Sequence, residues 1–289
     1  MTRLAITHET RYEYDREVPL GQWRLMPRPT DSHALRVVSA KLEVSPQAAT
    51  RWAYDAFGNS VCFLDFTESA AVLAVTSRLV VDRYPNPIAA SADDLHTPVP
   101  VLYDTADLLA LAPLIRPVTE DPDAVLRRWI RTEVLGGAAT ALELLQKLNQ
   151  LIHGQFQYTV RHEEGVQGPV HTLALKSGSC RDYAWLMIET VRRLGFAARF
   201  ASGYVAPAPD ATSASSTTHA WCEVFLPSLG WIEFDPTNAL TESADLIRVA
   251  STRIPEEAAP MRGTLGKAAA SSLYVAVNVE HVPAEPPVG

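Results

Sequence analysis

The length, composition and charge of the chain exclude several classes of protein. It has 289 residues, of which 47% are hydrophobic and 20% charged, as in an ordinary globular protein with room for two domains. The formal charge of -8 and the lack of a Lys/Arg-rich run speak against a nucleic-acid partner. The sequence also lacks the apolar stretch of a signal peptide or a membrane span, which predicts a cytoplasmic protein without membrane contact.

The three cysteines are few and widely spaced. Cys62, Cys180 and Cys222 are an odd number and fit neither a disulfide framework nor paired zinc ligands, so we expect free thiols. Strand alternation predicts that Cys62 and Cys222 pack in the core. The histidines are scattered and form no metal-ligand motif, so neither a metal nor another cofactor is predicted.

The first part of the chain predicts β-structure. From Met1 to about Tyr84 polar and apolar residues alternate, and helical periodicity is absent. Residues 55–59, Asp-Ala-Phe-Gly-Asn, have the composition of a hairpin turn between two strands. An antiparallel β-sandwich is therefore predicted for residues 1–87, followed by a proline-containing linker at 88–104.

The pattern changes to helices beyond the linker. Helices are predicted around residues 105–114 and 121–134, and after the capping box of Thr140 and Glu143. A further helix is predicted to begin at Cys180 and to end before a glycine that favours a left-handed cap.

Strands are predicted to follow that helix at residues 197–204, 219–226 and 231–235. The small polar segment 205–218 between the first two predicts a mobile loop that overhangs the site. This second domain is predicted to span residues 105–245, and residues 246–289 to form a C-terminal segment with a closing strand.

Cys180 lies where a thiol can become a nucleophile. The unpaired amides and positive dipole end of a helix N-terminus favour the thiolate over the thiol. Gly178 allows a tight turn that presents the sulfur and lets a substrate approach the backbone. Taken alone, a cysteine at a helix start is more often a small buried hydrophobe.

Two neighbouring strands can bring a histidine and a carboxylate to this thiol. His219 opens one predicted strand and Asp235 closes the next. If Leu226 pairs with Gly230 in the hairpin between them, His219 and Asp235 share one face of the sheet. That register predicts a nitrogen-to-oxygen distance of about 2.6–3.2 Å, with the second ring nitrogen facing the cysteine sulfur.

Together these motifs resemble the transglutaminase-like superfamily. Gly-Ser-Cys-Arg-Asp-Tyr-Ala at 178–184 resembles its nucleophile motif, and residues 192–204 resemble the continuation of that motif. His-Ala-Trp at 219–221 and Asp-Pro-Thr-Asn at 235–238 are similar to its other two signatures, in the family's order. The first domain resembles the N-terminal β-domain of bacterial members, at His8, Thr10, Tyr12, Tyr14, Leu25, Pro27 and the 55–59 turn.

The resemblance implies an α+β fold in which the N-terminal β-sandwich precedes a papain-like core. It implies that Cys180 is the nucleophile, His219 the general base and acid, and Asp235 the residue that orients His219. For the oxyanion, the backbone N–H of Cys180 is the first candidate donor. Gln157 and Tyr158, and beside them Gln155, are the candidates for the second.

One segment departs from the family pattern. Bacterial relatives of this type carry a Gly-Arg-Asp-Tyr-like segment after the aspartate block, whereas residues 248–255 read Arg-Val-Ala-Ser-Thr-Arg-Ile-Pro. A contact on the substrate side is therefore expected to differ.

The implied activity is the cleavage or transfer of an amide bond through a Cys180 thioester, on a protein, a peptide or another amide-bearing substrate. Hydrolysis is favoured, because water at about 55 M outcompetes amines unless a dedicated acceptor site excludes it. Two alternatives stay open. One is a transamidase or ligase-like acyltransferase in a biosynthetic pathway, and the other is a non-catalytic module that binds a protein partner.

Overall fold

The computed structural model describes residues 1–84, 97–138, 140–161, 163–207, 213–216, 218–227, 229–263 and 271–283. Residues 88–96 of the predicted linker lie outside this range. The helices are α1 (Thr105–Ile115), α2 (Val125–Trp129, continued by a π-helical turn at Ile130–Val134), α3 (Ala141–Gln155), α4 (Pro169–Leu175) and α5 (Cys180–Arg193), with a 3-10 turn at Pro255–Ala258.

Sixteen strands accompany these helices in the described residues. The strands that precede α1 are β1 (Thr2–Pro19), β2 (Gln22–Leu25), β3 (Leu35–Ser45), β4 (Ala49–Tyr54), β5 (Ser60–Asp65) and β6 (Ser69–Arg83). Those that follow are β7 (Gln157–Tyr158), β8 (Ser177–Gly178), β9 (Ala198–Val205), β10 (Ser213–Ser216), β11 (His219–Leu226), β12 (Gly230–Asp235), β13 (Leu240–Thr241), β14 (Leu246–Thr252), β15 (Met261–Gly263) and β16 (Ser271–His281).

Two antiparallel sheets contain the N-terminal strands, in the orders β10-β16-β1-β6-β3 and β15-β2-β5-β4. The predicted turn at residues 55–59 joins β4 to β5, where Asp55 N–H and Asn59 C=O form a 3.2 Å hydrogen bond. Buried side chains from strands of both sheets pack in one apolar cluster: Val18, Leu20, Trp23, Leu25, Cys62, Leu64, Leu73 and Val75. The core position predicted for Cys62 is thus confirmed, and burial raises the pKa of its thiol to about 11.

Strands near the C-terminus pair with strands of both domains. The predicted closing strand is β16, which pairs with β1 along most of its length, and β15 pairs with β2. By contrast, β14 pairs with β9 in the sheet of the second domain. The predicted division after residue 245 therefore cuts that sheet, which continues to Thr252. Pairings between strands this distant in sequence leave no local signal.

The second domain packs helices on an antiparallel sheet of order β13-β12-β11-β9-β14. Side chains of α3 and α5 share a buried core with one face of this sheet. Cys222 lies in that core with no exposed surface, as strand alternation predicts, and burial holds the pKa of its thiol well above the ordinary value. Within the described residues, no helix combines the length and apolar character that a bilayer span requires.

Local sequence patterns predicted the positions of most of the helices. The capping box of Thr140 and Glu143 is present, and Gly195 has a φ of 89° just after α5. The predicted helix at 121–134 was wrong at its start, because the Asp121 carboxylate accepts hydrogen bonds from the backbone N–H groups of Leu126 and Arg127 and delays the first turn.

The segment predicted as a loop at 205–218 is partly a strand. Val205 ends β9, and β10 pairs with β16 at the edge of the first sheet, so that prediction was wrong for these residues. Residues 208–212 and 217 lie outside the described range, and a position over the site stays a prediction. Backbone pairing with an open sheet edge explains how a run of Ser and Ala forms a strand.

Candidate active site

The cysteine lies at the first residue of a long helix. Strand β8 ends at Gly178, Ser179 is the cap residue, and Cys180 begins α5. The backbone N–H of a first helical residue has no partner within its own helix, so it is free to donate to a bound group. Cys180 is only 7% exposed.

The Asp182 carboxylate stabilises the turn that carries Cys180. Its carboxylate accepts hydrogen bonds from the backbone N–H and the hydroxyl of Ser179, at 2.8 and 2.9 Å. On its other side Asp182 accepts from the Arg161 guanidinium at 2.8 Å and from the Gln167 backbone at 2.7 Å. Burial opposes ionisation of Asp182, but these hydrogen bonds prevail and lower its pKa.

Sequence reasoning missed this support. The Ser-x-x-Asp spacing of residues 179–182 is a capping signal that could have identified Asp182. Arg161 and Gln167 reach Asp182 from the connection between β7 and α4, and no local pattern marks them.

Packing against Asp182 gives a second reason for a glycine at position 178, and the predicted approach of a substrate to its backbone stays a prediction. Its backbone does not adopt the left-handed conformation found at Gly195. Instead, a Cβ atom at this position would lie 2.9 Å from the Asp182 Cβ and 3.1 Å from the Asp182 Oδ2. A side chain there would displace the carboxylate that supports the cysteine turn.

The hairpin that carries His219 and Asp235 has the predicted register. Leu226 pairs with Gly230, and the pairing continues without a shift to Cys222 and Phe234. The Nε2 atom of His219 lies 2.8 Å from Asp235 Oδ2, which confirms the predicted distance. The ring of His219 stacks on Trp221, with centroids 6.1 Å apart, and thus lies on the face opposite Cys222.

Asp235 is buried and held by hydrogen bonds on both oxygens. Oδ2 accepts from His219 and from the side-chain amide of Asn238, and Oδ1 accepts from the backbone N–H groups of Thr237 and Asn238. Burial raises the energy of the charged form, but the hydrogen bonds from His219 and these neighbours outweigh it and lower the pKa of Asp235. Asp235 is therefore an anion at neutral pH.

His219 connects this anion to the cysteine. Burial of the ring favours its neutral form, whereas side-chain hydrogen bonds to Asp235 and to Cys180 favour the imidazolium and raise its pKa to about 10. Because Nε2 is bonded to Asp235, Nδ1 is the ring nitrogen left for the cysteine, and the predicted position of Nδ1 facing the sulfur stays a prediction. The structure thus brings Cys180, His219 and Asp235 together, and their arrangement suits proton transfer between sulfur and imidazole.

The candidate oxyanion donors lie beside the same turn. Strand β7 runs parallel to β8, with Gln157 opposite Ser177 and Tyr158 opposite Gly178. Tyr158 is 48% exposed, and burial together with the nearby charge of Cys180 raises the pKa of its hydroxyl. Gln157 is exposed, so either side chain has access to solvent next to the cysteine turn.

The segment that departs from the family pattern contributes to a charged cluster within the sheet. Arg248 lies 3.2 Å from the buried carboxylate of Glu223, which also pairs with Arg199. Glu233 faces Glu223 across the hairpin, and Arg83 of β6 approaches it at 3.8 Å. The side chain of Arg248 is thus held in an ion pair while 36% of it stays exposed, and an altered substrate contact in this segment stays a prediction.

Comparisons with known proteins match both halves of the chain. Residues 4–82 match the bacterial transglutaminase-like N-terminal region, and residues 128–236 match the transglutaminase-like superfamily. The chain is 30% identical to "Uncharacterized protein Rv2569c" of Mycobacterium tuberculosis (strain ATCC 25618 / H37Rv), over 98% of this chain and 93% of that protein. It is 25% identical to "Uncharacterized protein ML0607" of Mycobacterium leprae (strain TN), over 96% and 99% of the two chains.

One solved structure has a similar fold. It is described as "The Crystal Structure of a Putative Cysteine Protease from Cytophaga hutchinsonii to 1.9A" and superposes with a TM-score of 0.75 at 18% identity. The match covers 98% of this chain and 92% of that chain, so both the N-terminal sheets and the core take part.

Proposed function

Because this chain belongs to the transglutaminase-like superfamily, we propose that it is a cysteine enzyme that cleaves or transfers amide bonds through a thioester on Cys180. The observation that carries the proposal is the 2.8 Å hydrogen bond between His219 and Asp235, in a ring whose pKa is raised by both Asp235 and Cys180. A cysteine at a helix start, a histidine and a buried carboxylate make a nucleophile, a base and an orienting group.

In the proposed reaction, His219 accepts the proton of the Cys180 thiol and the sulfur attacks the amide carbonyl. The C–S bond forms as the carbonyl oxygen becomes an oxyanion, to which the Cys180 backbone N–H donates a hydrogen bond. His219 then gives its proton to the leaving nitrogen, the C–N bond breaks, and an amine departs from the thioester. Asp235 stays ionised throughout and stabilises the imidazolium.

The second oxyanion donor in this proposal is Tyr158, with Gln157 as the alternative. Tyr158 is favoured because its hydroxyl is close enough to Cys180 for their charges to interact and can donate to an oxyanion. Gln157 is also exposed and shares strand β7, where neighbouring side chains point to opposite faces. Replacing Tyr158 with Phe removes only the hydroxyl, and should slow acylation by about 10²-fold if that group is the donor.

The acyl acceptor in the proposal is water. Water attacks the thioester with His219 as base, releasing a carboxylic acid and restoring the thiol. A protein, a peptide or another amide-bearing molecule is the proposed substrate class, and a cytoplasmic location is part of the same proposal. An amine acceptor would make the protein a transamidase with the same first half-reaction.

The test is product analysis with a defined pool of amide-bearing peptides, in the presence and absence of a primary amine. Hydrolysis predicts new acids or shortened peptides, whose yield the amine leaves unchanged. Amine incorporation would assign the transamidase activity instead. No product from the wild type beyond that of Cys180→Ala, over a pool with broad sequence coverage, would favour the non-catalytic binding module.

A further inference from the structure

Asn238 donates to the same carboxylate oxygen as the histidine. It follows Asp235 in the Asp-Pro-Thr-Asn turn, and its side-chain Nδ2 lies 2.7 Å from Asp235 Oδ2. His219 Nε2 lies 2.8 Å from that oxygen. The two nitrogens are 3.5 Å apart, but both are donors toward Oδ2, so they meet at the oxygen and do not bond to each other.

The position of Asn238 sets it between the carboxylate and solvent. Asp235 has no exposed surface, whereas Asn238 is exposed. The backbone N–H of Asn238 also reaches Asp235 Oδ1, at 3.4 Å, and the Thr237 N–H lies 2.9 Å from that atom. The amide side chain therefore adds the donor that the backbone of the turn cannot supply to Oδ2.

We propose that Asn238 is a positioning residue, whose side-chain amide fixes the Asp235 carboxylate and keeps water from the His219–Asp235 hydrogen bond. This inference rests on the proposed function of Cys180, His219 and Asp235. Without the amide, Oδ2 retains the histidine alone, and both water and rotation of the carboxylate compete for that bond. His219 then spends less time in the orientation that accepts the cysteine proton.

Two substitutions separate this role from a role in the shape of the turn. Asn238→Ala removes the donor and should slow alkylation of Cys180 by iodoacetamide by about tenfold at pH 7, as expected for the loss of a hydrogen bond to a charged group. Asn238→Asp keeps the shape and the turn preference of asparagine but replaces the donor with an acid. A structural role predicts that Asn238→Asp is nearer to wild type than Asn238→Ala at every pH.

The donor role predicts a pH-dependent result for Asn238→Asp. The ionisable groups around the carboxylate are His219, Cys180 and Tyr158, and His153 of α3 lies 2.8 Å from the Thr237 carbonyl of the same turn. A protonated acid at position 238 can donate to Asp235 Oδ2, whereas its ionised form cannot, and two adjacent carboxylates raise the pKa of one of them. The alkylation rate relative to wild type should therefore be close to 1 at pH 5 and fall at least as low as that of Asn238→Ala by pH 8.

The experiment measures the alkylation rate at Cys180 by mass spectrometry from pH 5 to 8, with thermal unfolding to show that each variant is folded. Asn278→Ala is the control, because this asparagine is exposed on β16 and faces neither Cys180 nor Asp235 in the sheet pairing. Folded Asn238 variants with wild-type rates at every pH would overturn the inference alone. A wild-type Cys180 that reacts no faster than a free cysteine would overturn the proposed function itself.

Discussion

Replacing Asp235 with asparagine exchanges one carboxylate oxygen for an NH2 group at a site built from donors. Hydrogen-bond donors of His219, Thr237 and Asn238 all point at this side chain. If the amide oxygen of the new asparagine takes the place of Oδ1, the NH2 group faces His219 Nε2. An NH2 group cannot accept a hydrogen bond from that nitrogen. The imidazole then carries its proton on the nitrogen that faces Cys180, where it cannot act as a base.

The size of the effect follows from the loss of the proposed ion pair between the Cys180 thiolate and the His219 imidazolium. A free cysteine with a pKa of about 8.5 is only about 0.3% thiolate at pH 6. In the proposed mechanism the His219 imidazolium stabilises the Cys180 thiolate as an ion pair, and a thiolate in such a pair is a weaker nucleophile than a free thiolate. The alkylation rate of Cys180 at pH 6 should therefore fall by about 10- to 100-fold in Asp235→Asn, and amide turnover by about 10³- to 10⁴-fold.

The assay is iodoacetamide labelling at pH 6 and pH 9, followed by mass spectrometry of the peptide that contains Cys180. The difference between the proteins should narrow to about threefold or less at pH 9, where a free thiol is itself largely ionised. Asp123→Asn, in an exposed loop, is the matched control. A folded Asp235→Asn protein that is alkylated at the wild-type rate at pH 6 would refute the ion pair.

Two further predictions concern the supports of the site. Gly178→Ala would place a Cβ 2.9 Å from the Asp182 Cβ, and this overpacking should cost about 1–3 kcal/mol of unfolding free energy and slow the labelling of Cys180. The control is Gly154→Ala, in open space on α3, which should be neutral or stabilising. Equal effects of the two substitutions on urea unfolding would contradict the packing explanation. Burial and the adjacent carboxylate of Glu223 on β11 raise the pKa of Glu233 to about 8. The folded state therefore keeps a proton that the unfolded state loses. As a result the free energy of unfolding falls as pH rises from about 4.5 to 8, by at most about 1.4 kcal/mol per pH unit. Glu233→Gln should remove this fall, so that its stability relative to wild type, measured by urea unfolding, increases from pH 5 to pH 8. Glu280→Gln, at an exposed position, is the control. Unfolding free energies of wild type and Glu233→Gln that change in parallel with pH would show that Glu233 ionises freely.

Local patterns in the sequence predicted the elements that carry the candidate site. The apolar periodicity after Cys180 and the glycine at 195 delimited α5, because both act within a few turns of one helix. The register of the hairpin was predicted because pairing of Leu226 with Gly230 puts His219 and Asp235 on one face of the sheet, whereas pairing of Leu226 with Trp231 would not, and the structure confirms the first register. The relation of His219 to Asp235 depends only on these local features.

Features that depend on distant residues were not predicted. Strand β14 joins β9 and strand β10 joins β16 through pairing between backbones far apart in sequence, which residue type does not specify. The support of the cysteine turn by Arg161 and Gln167 likewise depends on where a connecting segment lies in the fold. Asn238 was visible in the Asp-Pro-Thr-Asn motif, but its role depends on the distance of its amide to Asp235.

Acylation of Cys180 by an amide substrate is tested most directly by intact-mass spectrometry. Wild-type protein mixed with the peptide pool and quenched in acid within seconds should carry an added acyl mass on Cys180. Hydroxylamine, which cleaves thioesters, should remove that mass and yield the matching hydroxamate. The adduct should be absent from Cys180→Ala and strongly reduced in His219→Ala. An adduct of equal amount in Cys180→Ala, or one on another residue of the wild type, would contradict the account.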